Sequence, residues 1–166
     1  MHPAAPTSDK TTPEELIRLR AVADYQFGRG AGKALFPDEI RVVRSKKTGK
    51  IKGIFLNDEH LATLKPSDGY LALSVPGGNR LLQAFQPPRH RVMIMDEVAE
   101  FIKNGRNLFA KHVVEADLKI RAGEEVIITD TRGDLLAVGK AVMSGKEMKH
   151  FKKGIAVNVR RGTCDE

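Results

Sequence analysis

Apolar residues recur first at helical spacing and then, for most of the chain, at strand spacing. Leu16, Leu19, Ala23 and Phe27 return every three or four positions, which marks one face of an α-helix. Thr12 ahead of Pro13, Glu14 and Glu15 supplies an N-cap, a first-turn proline and acids at the positive end of the helix dipole. This predicts a helix from Thr12 to Phe27, stopped by Gly28. From Ile40 the pattern changes to short apolar runs separated by turn residues. Residues 41–44 and 51–56 read as a hairpin about a glycine turn at 45–50. Residues 60–64 and the alternating 70–75 read as further strands, with turns at 57–58 and 66–69. Leu81, Leu82 and Phe85 predict a short inward-packed helix that starts near Gly77.

The second half opens on an apolar strand, Val92 to Met95. Asp96 then reads as the cap of a helix with Val98, Phe101 and Ile102 on its inner face, closed by Gly105. Residues 107–111, 126–129, 135–138 and 154–162 read as strands, with a hairpin turn at 130–134. Ser144 caps a short turn of helix through Phe151. Residues 86–91, rich in proline and arginine, read as a stiff linker. Residues 1–11, rich in Pro, Ser, Thr and Ala, predict a disordered leader.

Composition narrows the core and the partner. With 166 residues the chain makes one domain or two small ones. Hydrophobic residues are 41%, and tryptophan is absent, so the core must be aliphatic. The net charge is +7, which favours an acidic partner, nucleic acid before membrane surface. The bases are clustered. From Lys140 to Arg161 there are seven bases and one acid, net +6, and they alternate with residues that read as buried, among them Val142, Met148 and Phe151. From Arg41 to Lys52 there are six bases and no acid. Such a hairpin either blunts a sheet edge against pairing or contacts phosphates.

The chemistry excluded is equally specific. The single cysteine, Cys164, allows no internal disulfide and points to a reducing, cytoplasmic setting. The five histidines lie far apart, in no metal-ligand spacing; neither a metal nor a cofactor is expected. His112 can stack on a base, bond a phosphate or simply pack. Asp117 lies in a turn and reads as a backbone cap. Gly28 to Ala34 departs from a phosphate loop, with three residues between Gly28 and Gly32 and alanine after Lys33, against the four and the Ser or Thr that the loop requires. A mobile cationic connection is expected there. No signal-peptide run occurs, and nothing approaches the roughly 20 apolar residues of a membrane span.

The order of the second half resembles a PUA domain, an RNA-binding module. The residues that carry the likeness are Asn107 to Lys111, Ile120-Arg121-Ala122-Gly123-Glu124-Glu125, Leu135-Leu136-Ala137-Val138-Gly139, Met143-Ser144-Gly145-Lys146-Glu147-Met148 and Gly154 to Gly162. The first half resembles the domain that precedes PUA in archaeal tRNA-guanine (archaeosine) transglycosylase, through Ala23-Asp24-Tyr25-Gln26-Phe27-Gly28, Val43 to Gly49 and Leu64 to Gly69. The resemblance implies an α+β chain: an α/β pre-PUA domain over 12–86, a linker at 87–91, a PUA-type mixed β pseudo-barrel over 92–162 and a tail at 163–166.

It also implies an RNA face of Phe109, Ala110, Lys111, Gly154, Arg160, Arg161 and Gly162, with Lys111 and Lys153 on phosphates. His112 and Lys152 adjoin that face. Arg44, Lys46, Lys47 and Lys50 form a second candidate contact on the basic hairpin. Strand alternation puts Arg160 and Arg161 on opposite faces. The family's catalytic aspartates lie in a barrel domain of a type that takes about 250 residues, longer than this chain. The implied function is therefore non-catalytic: RNA binding, tRNA foremost, in the service of a separate tRNA-modifying enzyme. A ribosome- or rRNA-associated factor and a nucleotide-binding enzyme using Gly28 to Lys33 are the alternatives.

Overall fold

The computed structural model describes residues 7–165. The chain divides into two compact units, with the boundary in the sequence between Ala84 and Phe85. The first runs β1 (Asp9–Lys10), α1 (Pro13–Phe27), α2 (Ala31–Leu35), β2 (Arg41–Arg44), β3 (Ile51–Leu56), β4 (Glu59–Leu64), β5 (Leu71–Leu73) and α3 (Val75–Ala84). Its strands form one antiparallel sheet in sequence order. α1 starts on a capping box: Thr12 Oγ1 accepts from Glu15 N at 3.1 Å, and Glu15 Oε1 accepts from Thr12 N at 3.0 Å. That satisfies two N–H groups that the first turn leaves without partners. α1 buries Leu19, Ala23 and Phe27, the face that the spacing predicts. Asn57 and Asp58 both take positive φ, 50° and 68°, as a two-residue hairpin turn requires.

Three expectations for this unit change. Asp9 and Lys10 are not part of a free leader; they pair with Val42 and Arg41, and Arg41 donates to Ser8 Oγ at 2.8 Å and Ser8 O at 2.6 Å. The rest of the expected leader, residues 1–6, lies outside the described residues. Residues 28–34 are not a mobile connection but a glycine step into α2. Gly32 N donates to Asp24 Oδ1 at 2.7 Å, and a Cβ on Gly32 would stand 2.4 Å from Arg20 O. The glycine therefore serves close packing of α2 on α1, and its amide already has a partner, which removes the phosphate-cradle reading. Finally, the strand at 70–75 shortens to Leu71–Leu73, because the Ser74 hydroxyl accepts from Gly77 N at 3.1 Å and starts α3. The outer edge of β5 is occupied by Gln26, whose side-chain amide both donates to Leu71 O (2.9 Å) and accepts from Leu71 N (2.8 Å).

The second unit runs β6 (Arg91–Ile94), a 3-10 turn (Asp96–Val98), α4 (Ala99–Lys103), β7 (Leu108–Phe109), a second 3-10 turn (Ala110–His112), β8 (Val113–Ala116), β9 (Glu125–Thr129), β10 (Leu135–Ala141), α5 (Gly145–His150) and β11 (Ile155–Gly162). The sheet order is β7-β11-β10-β9-β6-β8, with β6 and β9 parallel and the other pairs antiparallel. The chain passes from one sheet edge, β7, to the other, β8, through the single turn Ala110–His112. That short bridge curls the sheet into a nearly closed barrel and leaves little open edge. The core is aliphatic as the composition demands, with Val92, Ile94, Ile102, Leu108, Val126, Ile128, Leu136 and Val157 at its centre. The α+β class and the mixed barrel agree with expectation.

Here too the details move. The Asp96 helix splits into a 3-10 turn and a five-residue α4, and the changed pitch turns Phe101 outward, 59% exposed, while Ile102 stays buried. Asp96 instead holds Thr131, accepting from its N–H at 3.1 Å and its hydroxyl at 2.7 Å. The expected stiff linker at 87–91 is not separate from the second unit, which begins at Phe85. The Arg89 guanidinium lies 4.6 Å from the Phe85 ring centroid, His90 N donates to Asp117 Oδ2 at 2.9 Å, and Arg91 belongs to β6. The tail is held as well, by Cys164 N donating to Lys103 O at 2.9 Å.

Candidate nucleic-acid interface

Two short connections build the basic surface of the second unit. One is the 3-10 turn Ala110–His112; the other is the loop from Phe151 to Gly154 after α5. Ser144 and Glu147 form a capping box that starts α5, and those Ser144 hydrogen bonds hold the Glu147 carboxyl below its ordinary pKa. The helix ends at His150. Ala110 N then donates to Gly154 O at 2.9 Å, and Ile155 stands opposite Phe109 in the ladder. These two links place Lys111 and Phe109 in positions neighbouring Lys152, Lys153 and Gly154.

The cluster brings exposed cations and exposed rings together. Lys111, Lys152 and Lys153 are exposed and make no ion pair among the described residues. Phe109 is 45% and Phe151 49% exposed, and His112 stands edge-on to Phe109 at 6.5 Å. Gly154 takes φ 91°, and a Cβ there would meet only Met143 Cε, at 3.2 Å. Backbone conformation, not crowding, asks for glycine at this turn. Phe151 and Val142 are exposed, contrary to the reading of them as buried. The signal for Phe151 was its place one residue beyond the helix end, where the helical face no longer applies.

Arg160, Arg161 and Gly162 do not join this cluster. They lie six to eight residues further along β11, about 20 Å or more at strand rise. The ladder register passes from Val138↔Arg161 to Gly139↔Val159, so Arg160 is the extra residue of a β-bulge. Strict alternation, the premise for opposite faces, fails there. The Arg160 guanidinium forks onto Glu125, donating to Oε2 at 3.0 Å and also to Oε1. Glu125 is 5% exposed, so Arg160 is the counter-charge of a buried carboxylate. Gly162 is a packing glycine; a Cβ would stand 2.1 Å from Lys103 O. Ala110 is 3% exposed and belongs to the core. Ala110 and Gly162 thus present no side-chain contact, Arg160 is engaged within the fold, and Arg161 remains exposed.

The hairpin of the first unit divides in the same way. Arg44 donates to Glu15 Oε2 at 2.7 Å and Oε1 at 2.9 Å, with Asp9 at 3.5 Å. Its charge is neutralised locally, which removes it from the candidate phosphate contacts. Lys46, Lys47 and Lys50 are exposed on the turn and make no ion pair among the described residues. The turn itself is tied by Gly49 N to Ser45 O and by Ser45 N to Lys50 O, both 2.8 Å.

The Arg44–Glu15 pair makes a testable demand. The Arg44 guanidinium, together with the Thr12 backbone, holds the Glu15 carboxyl down at about 2. A folded-state pKa below the unfolded one adds stability above the ordinary carboxylate range, and that stability is lost as pH falls toward the folded value. The first unit is expected to lose about 1–2 kcal/mol between about pH 5 and 2 from this pair, a figure discounted for solvent screening. Glu15→Gln, which keeps a capping-box side chain, should be less stable at neutral pH and show a flatter acid limb in urea titrations. An unchanged acid limb would rule the pair out as a source of acid sensitivity.

Among the described residues no group of His, Cys, Asp and Glu could hold a metal ion, and no helix is long and apolar enough to cross a membrane. Residues 17–88 match the patch-forming domain C2 of tRNA-guanine transglycosylase, and residues 90–163 match the PUA domain. The chain is 43% identical over 153 residues to the tRNA-guanine(15) transglycosylase of Methanothermobacter thermautotrophicus, covering 92% of this chain and 23% of that protein. It is 45% identical over 144 residues to that of Thermococcus kodakarensis, covering 87% of this chain and 24% of that protein. The chain thus spans about a quarter of the length of these curated relatives, their C-terminal part. A hypothetical protein from Pyrococcus horikoshii OT3 superposes with a TM-score of 0.76 at 23% identity, with 96% of each chain covered. A conserved PUA domain protein from Thermoplasma acidophilum does so at 0.70 and 22%, again with 96% of each covered. These two structures show the shared fold.

Proposed function

The chain belongs to the PUA-domain proteins, with the patch-forming C2 domain of tRNA-guanine transglycosylase ahead of its PUA domain, and on that premise we propose that it binds RNA, tRNA foremost. Its role is that of an accessory factor in archaeosine-type tRNA modification, with bond-making left to another polypeptide, in a cytoplasmic setting. The observation that carries this reading is the cluster of Phe109, Lys111, Lys152, Lys153 and Gly154, drawn together by the hydrogen bond from Ala110 N to Gly154 O. Lysines that make no ion pair among the described residues suit phosphates, exposed phenylalanines suit the faces of unpaired bases, and a side-chain-free turn admits an RNA backbone. The lysines of the 45–50 turn supply a second phosphate contact on the first unit.

Salt dependence tests the reading. Affinity for unmodified tRNA is expected to fall by one to three orders of magnitude, an estimate on the order of that for about five phosphate contacts, between low and moderate salt. Lys46→Ala, Lys47→Ala and Lys50→Ala combined should weaken binding about tenfold and flatten the salt slope by about two, with the unfolding midpoint unchanged. A salt-insensitive isotherm contradicts the proposal; tighter binding to rRNA fragments than to intact tRNA redirects it to the ribosome.

A further inference from the structure

Among the described residues of the first unit, the exposed large hydrophobic side chains are Ile17, Tyr25 and Tyr70, and none belongs to the basic hairpin. Ile17 is 68% and Tyr25 79% exposed, both on α1, and Tyr70 stacks on Tyr25 with ring centroids 6.3 Å apart and planes 4° from parallel. At about 100° per residue, Ile17, Ala21 and Tyr25 fall within an arc of about 80°. That arc lies across the helix from Leu19, Ala23 and Phe27, which face the core. α1 is therefore apolar on two sides, and the outer one is open to water. Arg18 and Asp24 flank the outer arc on opposite borders; both are exposed and neither makes an ion pair among the described residues.

This stripe is complementary to its own reverse. Ala21 is its midpoint: Ile17 lies as far before it as Tyr25 lies after it, and Arg18 as far before it as Asp24 after it. We infer that α1 docks on α1 of a second copy of this chain, antiparallel, about a two-fold axis at Ala21. That arrangement is isologous, so every contact is made twice. Ile17 then stands level with the second copy's Tyr25, and Arg18 level with its Asp24. Glu14 stands level with the second copy's Gly28, next to its exposed Arg29. Each charged residue of the stripe thus has an opposite charge within reach. A parallel pair would set Arg18 on Arg18 and Asp24 on Asp24, which opposes it. Alanine at the crossing point lets the two helix axes come close. The apolar centre with a thin charged rim has the anatomy of a protein interface. Burying Ile17, Tyr25 and Tyr70 of both copies together with that rim removes roughly 1,000 Å² from water, at the small end of specific interfaces, so the dimer is weak and its population depends on concentration.

The register is tested in the full chain carrying Cys164→Ser, which leaves an introduced cysteine as the only one. Ala21→Cys in that background sets a thiol beside its own copy across the axis, within the span of a disulfide. Mild oxidation should yield a covalent dimer, and at least tenfold less of it from Gln83→Cys, which is exposed on α3. Sedimentation equilibrium of the wild type should show monomer passing to dimer with a Kd on the order of 10–100 µM. Ile17→Asp, and Arg18→Asp, which sets acid level with acid, should each weaken the dimer at least tenfold while circular dichroism shows the fold intact. A wild type that stays monomeric to millimolar concentration, a dimer indifferent to both substitutions, or equal crosslinking through Ala21→Cys and Gln83→Cys would overturn the inference.

Discussion

Replacing Arg160 with alanine is expected to destabilise the second unit by about 3 kcal/mol, because it strands a buried carboxylate. Glu125 opens β9 at 5% exposure, and both its oxygens accept from the Arg160 guanidinium. A buried charge without its counter-charge loses the attraction that offset its desolvation. Arg160→Lys should recover only part of the loss, since an ammonium cannot fork onto both oxygens. Replacing Arg160 and Glu125 together by leucine should come close to wild-type stability, because no charge is then left buried. Urea unfolding at neutral pH distinguishes these cases. A midpoint unmoved by Arg160→Ala would return Arg160 to the candidate RNA contacts.

This case also shows where the sequence stops being legible. The helix α1, its cap at Thr12 and its stop at Gly28 rest on contacts within a few residues, so spacing alone reveals them. The strand runs and the turn residues are local in the same sense. Arg160 is different: its partner is 35 residues away, and the bulge that displaces it is a property of two strands. Nothing in the run Val159-Arg160-Arg161 distinguishes the arginine that pairs internally from the one that stays in water. Arg44 and Glu15, 29 residues apart, teach the same lesson. A basic run therefore overstates the charge that a ligand meets, because some of its bases are drawn into internal pairs, Arg44 and Arg160 into forks and Lys149 onto Glu115 at 2.6 Å. Spacing does not tell these from Arg161 and the lysines that stay in water. Glycines mislead in a similar way: Gly162 and Gly32 read as access for a ligand or mobility, yet each marks a close approach of backbone that only the folded chain reveals.

The second large effect concerns binding. Lys111, Lys152 and Lys153 lie within two residues of Phe109 or Phe151 in the sequence, make no ion pair among the described residues, and are each exposed enough to be removed without touching the core. Loss of three phosphate contacts should lower tRNA affinity about 100-fold at low salt and reduce the salt slope by between about two and three. Phe109→Ala should add a loss that salt does not modulate, since stacking on a base releases no counterions.

The most direct test is therefore the tRNA affinity of Lys111→Ala, Lys152→Ala and Lys153→Ala combined, measured across a salt series beside the wild type. An RNA face at this cluster predicts a wild-type unfolding midpoint, a roughly 100-fold weaker isotherm at low salt and a visibly flatter slope. Equal affinity and equal slope in a variant that folds normally would contradict it.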